Sequence, residues 1–404
     1  MNINSKNVVK QGLCLFVFII ISVCIIIYLP CKIYNFPPPQ KFSGNFLYNP
    51  YNDSLGSWQQ SNFHAHGVAW NGTTSGKDKA CDIINLYRKR GYNYACVSNY
   101  EDLAPEDKQP NAINVYEHGY NISKTHELVI MPQRVCYNDF PFFQFASSKQ
   151  FIINKLDENA KGIALAHPDI RNGYSDDDLK KLTGYNLMEV LNHSVNSSNK
   201  WDVVLSAGKP VWIIGDDDTH DINDTNQTFT NWTMINCNYS NKDSLIKNLM
   251  NGNAYAVTGR NGKNDNKLVS FTTSGLNVHI QIQNKADSIK LIGQNGIVEK
   301  IFFNTDKLFY NFKTEDTYIR AVIYNKATAM FLNPVLRYDG IAKPANISTA
   351  TTNFFETFLY KSCLLVFWFL IAIRLNIVTA STILKLLKNK WYQKDVMPQL
   401  SAEY

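Results

Sequence analysis

The sequence predicts an α/β fold: a parallel sheet or barrel, then a small antiparallel β domain, with a membrane-spanning helix at each end. Three observations predict it. From Asn62 to about Gly259, short β-branched runs alternate with polar, helix-like stretches, which is the rhythm of βαβ units. After Gly262-Lys263-Asn264-Asp265-Asn266 the pattern turns to strict apolar/polar alternation. Both chain ends carry apolar stretches flanked by Lys and Arg.

Residues 1–11 read as a cytoplasmic tail, and Gly12 to Leu29 is an uncharged apolar stretch of 18 residues. That is long enough to cross a hydrocarbon core of about 30 Å. A cleavable signal has a shorter apolar region, about 7 to 15 residues, followed by small residues. Here the exit is Tyr28-Leu29-Pro30-Cys31, so an uncleaved anchor is expected. Residues 30–61 contain Pro37-Pro38-Pro39 and read as a linker. The main domain is expected over 62–262, with strands at Tyr94 to Ser98, Ile113 to Tyr116, Leu128 to Ile130, Ile163 to Ala166, Leu187 to Leu191 and Val211 to Ile214. The alternation in Leu276 to Asn284 and Tyr318 to Tyr324 places the antiparallel β domain at 265–342. Ser362 to Ile373 is strongly apolar and is expected to sit in a second transmembrane helix within 357–384, followed by a basic cytoplasmic tail at 385–404. The basic flanks put both termini in the cytoplasm and residues of about 31 to 355 outside it, periplasmic or at the cell surface.

Composition narrows the function. With 404 residues, 45 % hydrophobic and 18 % charged, the chain is neither collagen-like, coiled-coil nor broadly disordered. Its net charge of +6 sits at the ends and leaves only +1 on residues 31–373, so no basic stripe exists for a nucleic-acid partner. The eight Cys include no CxxC or CxxH pair, which argues against a zinc finger or redox motif.

The chemistry collects where apolar runs end, as it does at the C-terminal ends of strands in α/β folds. His64 and His66 lie at i and i+2, on one side of an extended strand, where two imidazoles can grip one metal ion. Val115-Tyr116-Glu117 ends a run on a carboxylate, and Thr125-His126-Glu127 opens the next. Ile163 to His167 ends on a histidine, and Trp212 to His220 ends on an Asp-x-His pair, Asp218 and His220.

That order of motifs resembles the PHP family, named for polymerase and histidinol phosphatase domains, in an extracytoplasmic, membrane-anchored branch. His64-x-His66, Ala166-His167-Pro168, Glu189-Val-Leu-Asn192, Trp201 to Gly208, Asp217-Asp218-Thr219-His220 and Leu245 to Gly259 carry the resemblance, which covers roughly Asn62 to Gly259. It implies a distorted (β/α)7 PHP barrel and a metal-dependent phosphoesterase. Carried onto this chain, it implies one metal held by His64, His66, Glu117 and Asp218, and a second by Glu117, His126 and His167. His118 and Glu127 stand beside two of these as alternatives of the same side-chain type, and Arg134 reads as an ordinary charged residue beyond a strand. A third metal would need ligands where this chain has Asn71 and Tyr100 beside His220, so two divalent ions are implied rather than three. Nitrogen and carboxylate donors without thiolate suit Zn, Mn or Fe.

Two bridged cations about 3.5 to 4 Å apart lower the pKa of a shared water and offset charge on phosphoryl oxygens. The expected activity is therefore hydrolysis of a phosphate ester. Asp218 and His220 are the candidate catalytic residues, with His220 free to orient substrate or protonate the leaving group. Arg171, soon after His167, is the candidate phosphate clamp. The competing reading is a catalytically degenerate domain that binds a ligand or carbohydrate or serves as a structural module, for which Asn71, Asn99 and Tyr100 are the supporting features.

Overall fold

The computed structural model describes residues 5–51, 57–104, 112–237 and 241–375. Two compact units emerge: Asn35–Thr351, and the chain ends Met1–Tyr34 with Thr352–Tyr404.

The described part of the end unit is built on two helices, α1 (Ser5–Tyr28) and α7 (Phe354–Arg374). Asn353 caps α7 by accepting from the Glu356 amide at 3.0 Å. Trp368 donates its indole N–H to Ser22 at 2.9 Å, and the Tyr360 hydroxyl donates to the Tyr28 carbonyl at 3.2 Å, so the two helices pack together. Among the described residues only α7 is long and apolar enough to cross a membrane; the apolar part of α1, Gly12–Tyr28, is shorter. This corrects the expected pair of spanning helices. Leu29 and Pro30 form a turn, so 17 apolar residues remain helical and reach about 25 Å at 1.5 Å each. The second span instead recruits Phe354 to Lys361 and is complete at Arg374. The expected tail at 385–404, and the part of the span beyond 375, lie outside the described residues.

Along the chain between these helices come β1 (Tyr34–Asn35), β2 (Phe46–Tyr48), β3 (Trp58–Asn62), α2 (Ala80–Lys89), β4 (Tyr94–Ala95), β5 (Val115–His118), β6 (His126–Ile130), α3 (Ala146–Asp157), β7 (Gly162–Ala166), α4 (Asp176–Lys181), β8 (Leu187–Leu191), α5 (Ser198–Ser206) and β9 (Trp212–Gly215). They continue as β10 (Asn231–Asn236), α6 (Lys242–Met250), β11 (Ala254–Thr258), β12 (Leu268–Ser274), β13 (Asn277–Ile292), β14 (Val298–Asn311), β15 (Tyr318–Asn325), β16 (Thr328–Leu332), β17 (Val335–Tyr338) and β18 (Thr351–Thr352).

The expected (β/α)7 barrel is not what forms. The described residues make separate sheets and no closed barrel. One sheet has five strands in the order β5-β6-β7-β8-β9, with β5, β6 and β7 antiparallel to their neighbours and β7, β8 and β9 parallel. A second has eleven strands, and its central path β12-β13-β15-β16-β11-β10-β3-β4 joins strands from both expected domains, while β1 and β18 form a small third sheet. The reason is local. Only seven residues, 119–125, connect β5 to β6, too few for the crossover of a dozen or more that parallel pairing needs. Likewise β10 pairs antiparallel with both β3 and β11 rather than extending a parallel series.

Every residue of β5 to β9 is buried, as in strands covered on both faces. The two larger sheets meet at Gly215, whose amide donates to the Thr233 hydroxyl at 3.0 Å. On β13, Val278, Ile280 and Ile282 alternate into a core that includes Phe271, Leu308, Ala321 and Ile323. Arg320 of β15 forks onto Asp202 of α5, Nε to Oδ1 at 2.7 Å and Nη2 to Oδ2 at 2.6 Å, and lies over the Trp201 ring. This buried pair ties the antiparallel strands to the helix behind β8.

Candidate metal centre

The strands of the five-stranded sheet bring their functional ends to one edge. His126 lies opposite Ala166, so β6 begins where β7 ends, and the ends of β8 and β9 follow in register. The chain leaving β3 reaches the same edge: Ala65 pairs with Thr219, the Asp218 amide donates to the His64 carbonyl at 2.9 Å, and the His66 amide to the Thr219 carbonyl at 2.8 Å. Tyr100, beyond β4, pairs with Glu117. The edge lies outside the carboxyl ends of β7, β8 and β9, where open α/β sheets place ligands.

Strand alternation decides which side chains face it. Glu117 and His126 do, whereas His118 and Glu127 meet each other on the opposite face, Nδ1 to Oε2 at 2.8 Å. There Glu127 also accepts from the Tyr174 hydroxyl at 2.5 Å, and His118 Nε2 donates to the Asn138 carbonyl at 2.8 Å. Burial opposes charge on His118, but Glu127 prevails and its pKa is pushed up to about 10. Arg134 is exposed and takes no part.

Four atoms converge first: His64 Nε2, His66 Nε2, Glu117 Oε2 and Asp218 Oδ1. His64 Nε2 is 3.1 Å from His66 Nε2 and 3.2 Å from both Glu117 Oε2 and Asp218 Oδ1. His66 Nε2 is 3.0 Å from Glu117 Oε2 and 3.2 Å from Asp218 Oδ1. These five separations, all 3.0 to 3.2 Å, bring the four donor atoms as close together as donors around one small cation stand. Glu117 Oε2 and Asp218 Oδ1 are buried without a hydrogen-bond partner among the described residues. A cation placed between them would satisfy both oxygens.

The second group shares Glu117. Its Oε1 is 2.5 Å from His126 Nδ1 and 3.1 Å from His167 Nε2. Buried His, Glu and Asp side chains are thus grouped so that they can hold metal ions: His64, His66, Glu117 and Asp218; Glu117, His126 and His167; and His64, His167 and Glu189. Burial opposes a charge on Glu117, but His126 and His64 hold its carboxyl well below the usual range. Burial likewise opposes charge on His64, and Asp218, Glu189 and Glu117 raise its pKa well above the ordinary value.

Glu189 was legible as a carboxylate inside the apolar run Leu187 to Leu191, yet sequence reasoning gave it no role. Its Oε1 accepts from His64 Nδ1 at 3.0 Å and its Oε2 from the His167 amide at 2.8 Å. It therefore fixes the His64 ring with Nε2 toward the cluster, as carboxylates behind metal-bound histidines do. Asn192 donates to Glu189 Oε1 and Asp218 Oδ2, both at 3.2 Å. The neighbours of Asp218 work elsewhere: Asp216 accepts from the Phe63 amide at 2.6 Å, and Asp217 takes the Tyr87 hydroxyl and the amides of Phe229, Thr230 and Asn231.

His220 is half-buried beside the first group, its ring 4.3 Å from that of His66. Its Nδ1 donates to the Asp218 carbonyl at 2.9 Å, leaving Nε2 as the atom that can take a proton. Burial and His66 lower its pKa. Tyr100 stacks on His66 at 4.5 Å and meets His126 edge-on at 5.5 Å. Asn71 is exposed, and no group with metal-ligand spacing includes His220 among the described residues. Arg171 is exposed and donates to the Ile122 carbonyl at 2.9 Å, with no hydrogen bond or ion pair to the cluster.

No family model matches the chain, and no curated protein sequence matches it.

Proposed function

We propose that this chain is a metal-dependent phosphoesterase, anchored in the membrane through α7, with the site on the extracytoplasmic side. One observation carries the reading: Glu117 places one carboxylate oxygen in each of two ligand groups. A carboxylate so shared is what a two-metal site requires. The order of motifs similar to the PHP family supports the same chemistry, and the apolar α7 supports the anchor.

His64, His66, Glu117 and Asp218 would hold one divalent ion, and Glu117, His126 and His167 the other. Zn, Mn or Fe held there would supply an acidified water near neutral pH and positive charge against the phosphoryl oxygens. Glu189 holds His64 in the tautomer that ligates, and Asn192 holds Asp218. His220 can carry the leaving group's proton on Nε2.

The test uses the full-length protein in detergent, incubated with Mn, Zn or Fe(II), desalted and assayed for metal and for phosphoester hydrolysis. About two ions per chain are expected, and His64→Ala with His66→Ala should lower the metal content and abolish turnover. Unchanged turnover in that double variant, or a folded wild type that retains no metal, would sink the proposal. Retained metal without turnover on any phosphoester would favour the binding module.

A further inference from the structure

We propose that Lys124 is the cation that receives the anionic phosphoryl oxygens of the substrate, and that Arg171 positions the loop that carries it. The inference rests on the phosphoesterase reading and adds to it a residue that no sequence motif marked.

The Lys124 ammonium lies over the Tyr100 ring, 5.5 Å from its centre. That ring is the one stacked on His66 and edge-on to His126, so the ring that bears the cation touches a histidine of each ligand group. Among the described residues no carboxylate forms an ion pair with Lys124, although the centre below it contains Glu117, Glu189 and Asp218. Two divalent ions against these three carboxylates leave about one positive charge, and Lys124 brings a second, matching a phosphate monoester dianion.

The loop is built to hold that ammonium in place. Lys124 adopts a left-handed backbone, φ 56°, which a residue with a Cβ takes only when its surroundings impose it. Asn121 imposes it: its side chain accepts from the Thr125 amide at 2.9 Å and donates to the Thr125 carbonyl at 2.7 Å. The Thr125 hydroxyl donates to the Gly173 carbonyl at 3.0 Å, and a Cβ on Gly173 would lie 2.7 Å from the Lys124 carbonyl oxygen. Arg171 spends its guanidinium on the Ile122 carbonyl of the same loop.

The experiment measures binding of inorganic phosphate by calorimetry to the metal-loaded, full-length protein, with metal content determined on the same samples. Lys124→Gln should keep its metal and lose at least tenfold in phosphate affinity, while Lys124→Arg should stay within a few-fold of wild type. KM for a phosphate monoester should rise in Lys124→Gln in parallel. Wild-type phosphate affinity in Lys124→Gln, or an equal loss in Lys124→Arg, overturns the assignment while leaving the hydrolase reading intact. A metal-loaded wild type that binds no phosphate overturns both.

Discussion

Glu117 is the residue on which both ligand groups depend, and Glu189 is the one that makes His64 fit to serve. Replacing one carboxylate oxygen of Glu189 by an NH2 removes the charge behind His64 and leaves a single acceptor for two donors, His64 Nδ1–H and the His167 amide. Glu189→Gln is expected to weaken metal affinity about 10- to 100-fold with the fold preserved, as read by titration with a competing chelator; unchanged affinity would remove Glu189 from the site. The histidines also set a pH dependence. Burial opposes protonation of His64, His66 and His167, but the carboxylates around them raise all three above the ordinary value of about 6.5. A raised folded-state pKa adds stability that is complete below the unfolded value and is lost as pH climbs through the folded one. The metal-free chain should therefore lose stability above neutrality, where a metal has fewer protons to displace. The rise in Tm on adding Mn should be larger at pH 8 than at pH 6 by calorimetry, and the reverse order would contradict the arrangement.

Among the elements, the β5–β6 hairpin does most to assemble the centre, since it carries Glu117, His126 and the loop between them. Gly119 opens that loop at φ +124°, and a Cβ there would lie 2.5 Å from His126 Cδ2 and 2.7 Å from the Thr125 carbonyl oxygen. Gly119→Ala is expected to cost about 1 to 3 kcal/mol and to lower the metal content from about two ions per chain toward one. Urea unfolding and metal analysis would check both, and full metal content in the variant would count against the placement of His126. The hairpin also shows what sequence patterns convey. Runs such as Leu128 to Ile130 and Ile163 to Ala166 were legible as strands because apolar, β-branched composition is local. Their direction was not taken from the pattern, although the stretch 117–127 between the two expected strands was already short for a parallel crossover.

At the scale of the molecule, the unit Asn35–Thr351 contains every candidate ligand, and the apolar helices belong to the other unit. A fragment of residues 35–351 should therefore stay in solution without detergent and hold as much metal per chain as the full-length protein. Aggregation of the fragment, or loss of its metal, would show that the end unit is needed for the site.

The sequence by itself determined the side-chain types at the strand ends, the apolar helices at the chain termini and the change from mixed to alternating pattern after Gly262. Each of these is written in neighbouring residues. The tertiary structure alone decided that β5, β6 and β7 pair antiparallel, that β3 and β10 share a sheet with the later strands, and that Glu117 and His126 rather than His118 and Glu127 face the cluster. A period of two says that the faces of a strand differ, but not which of them meets the ends of strands far away in the chain. The role of Glu189 was decided there too, because its partners His64 and His167 come from two other strands.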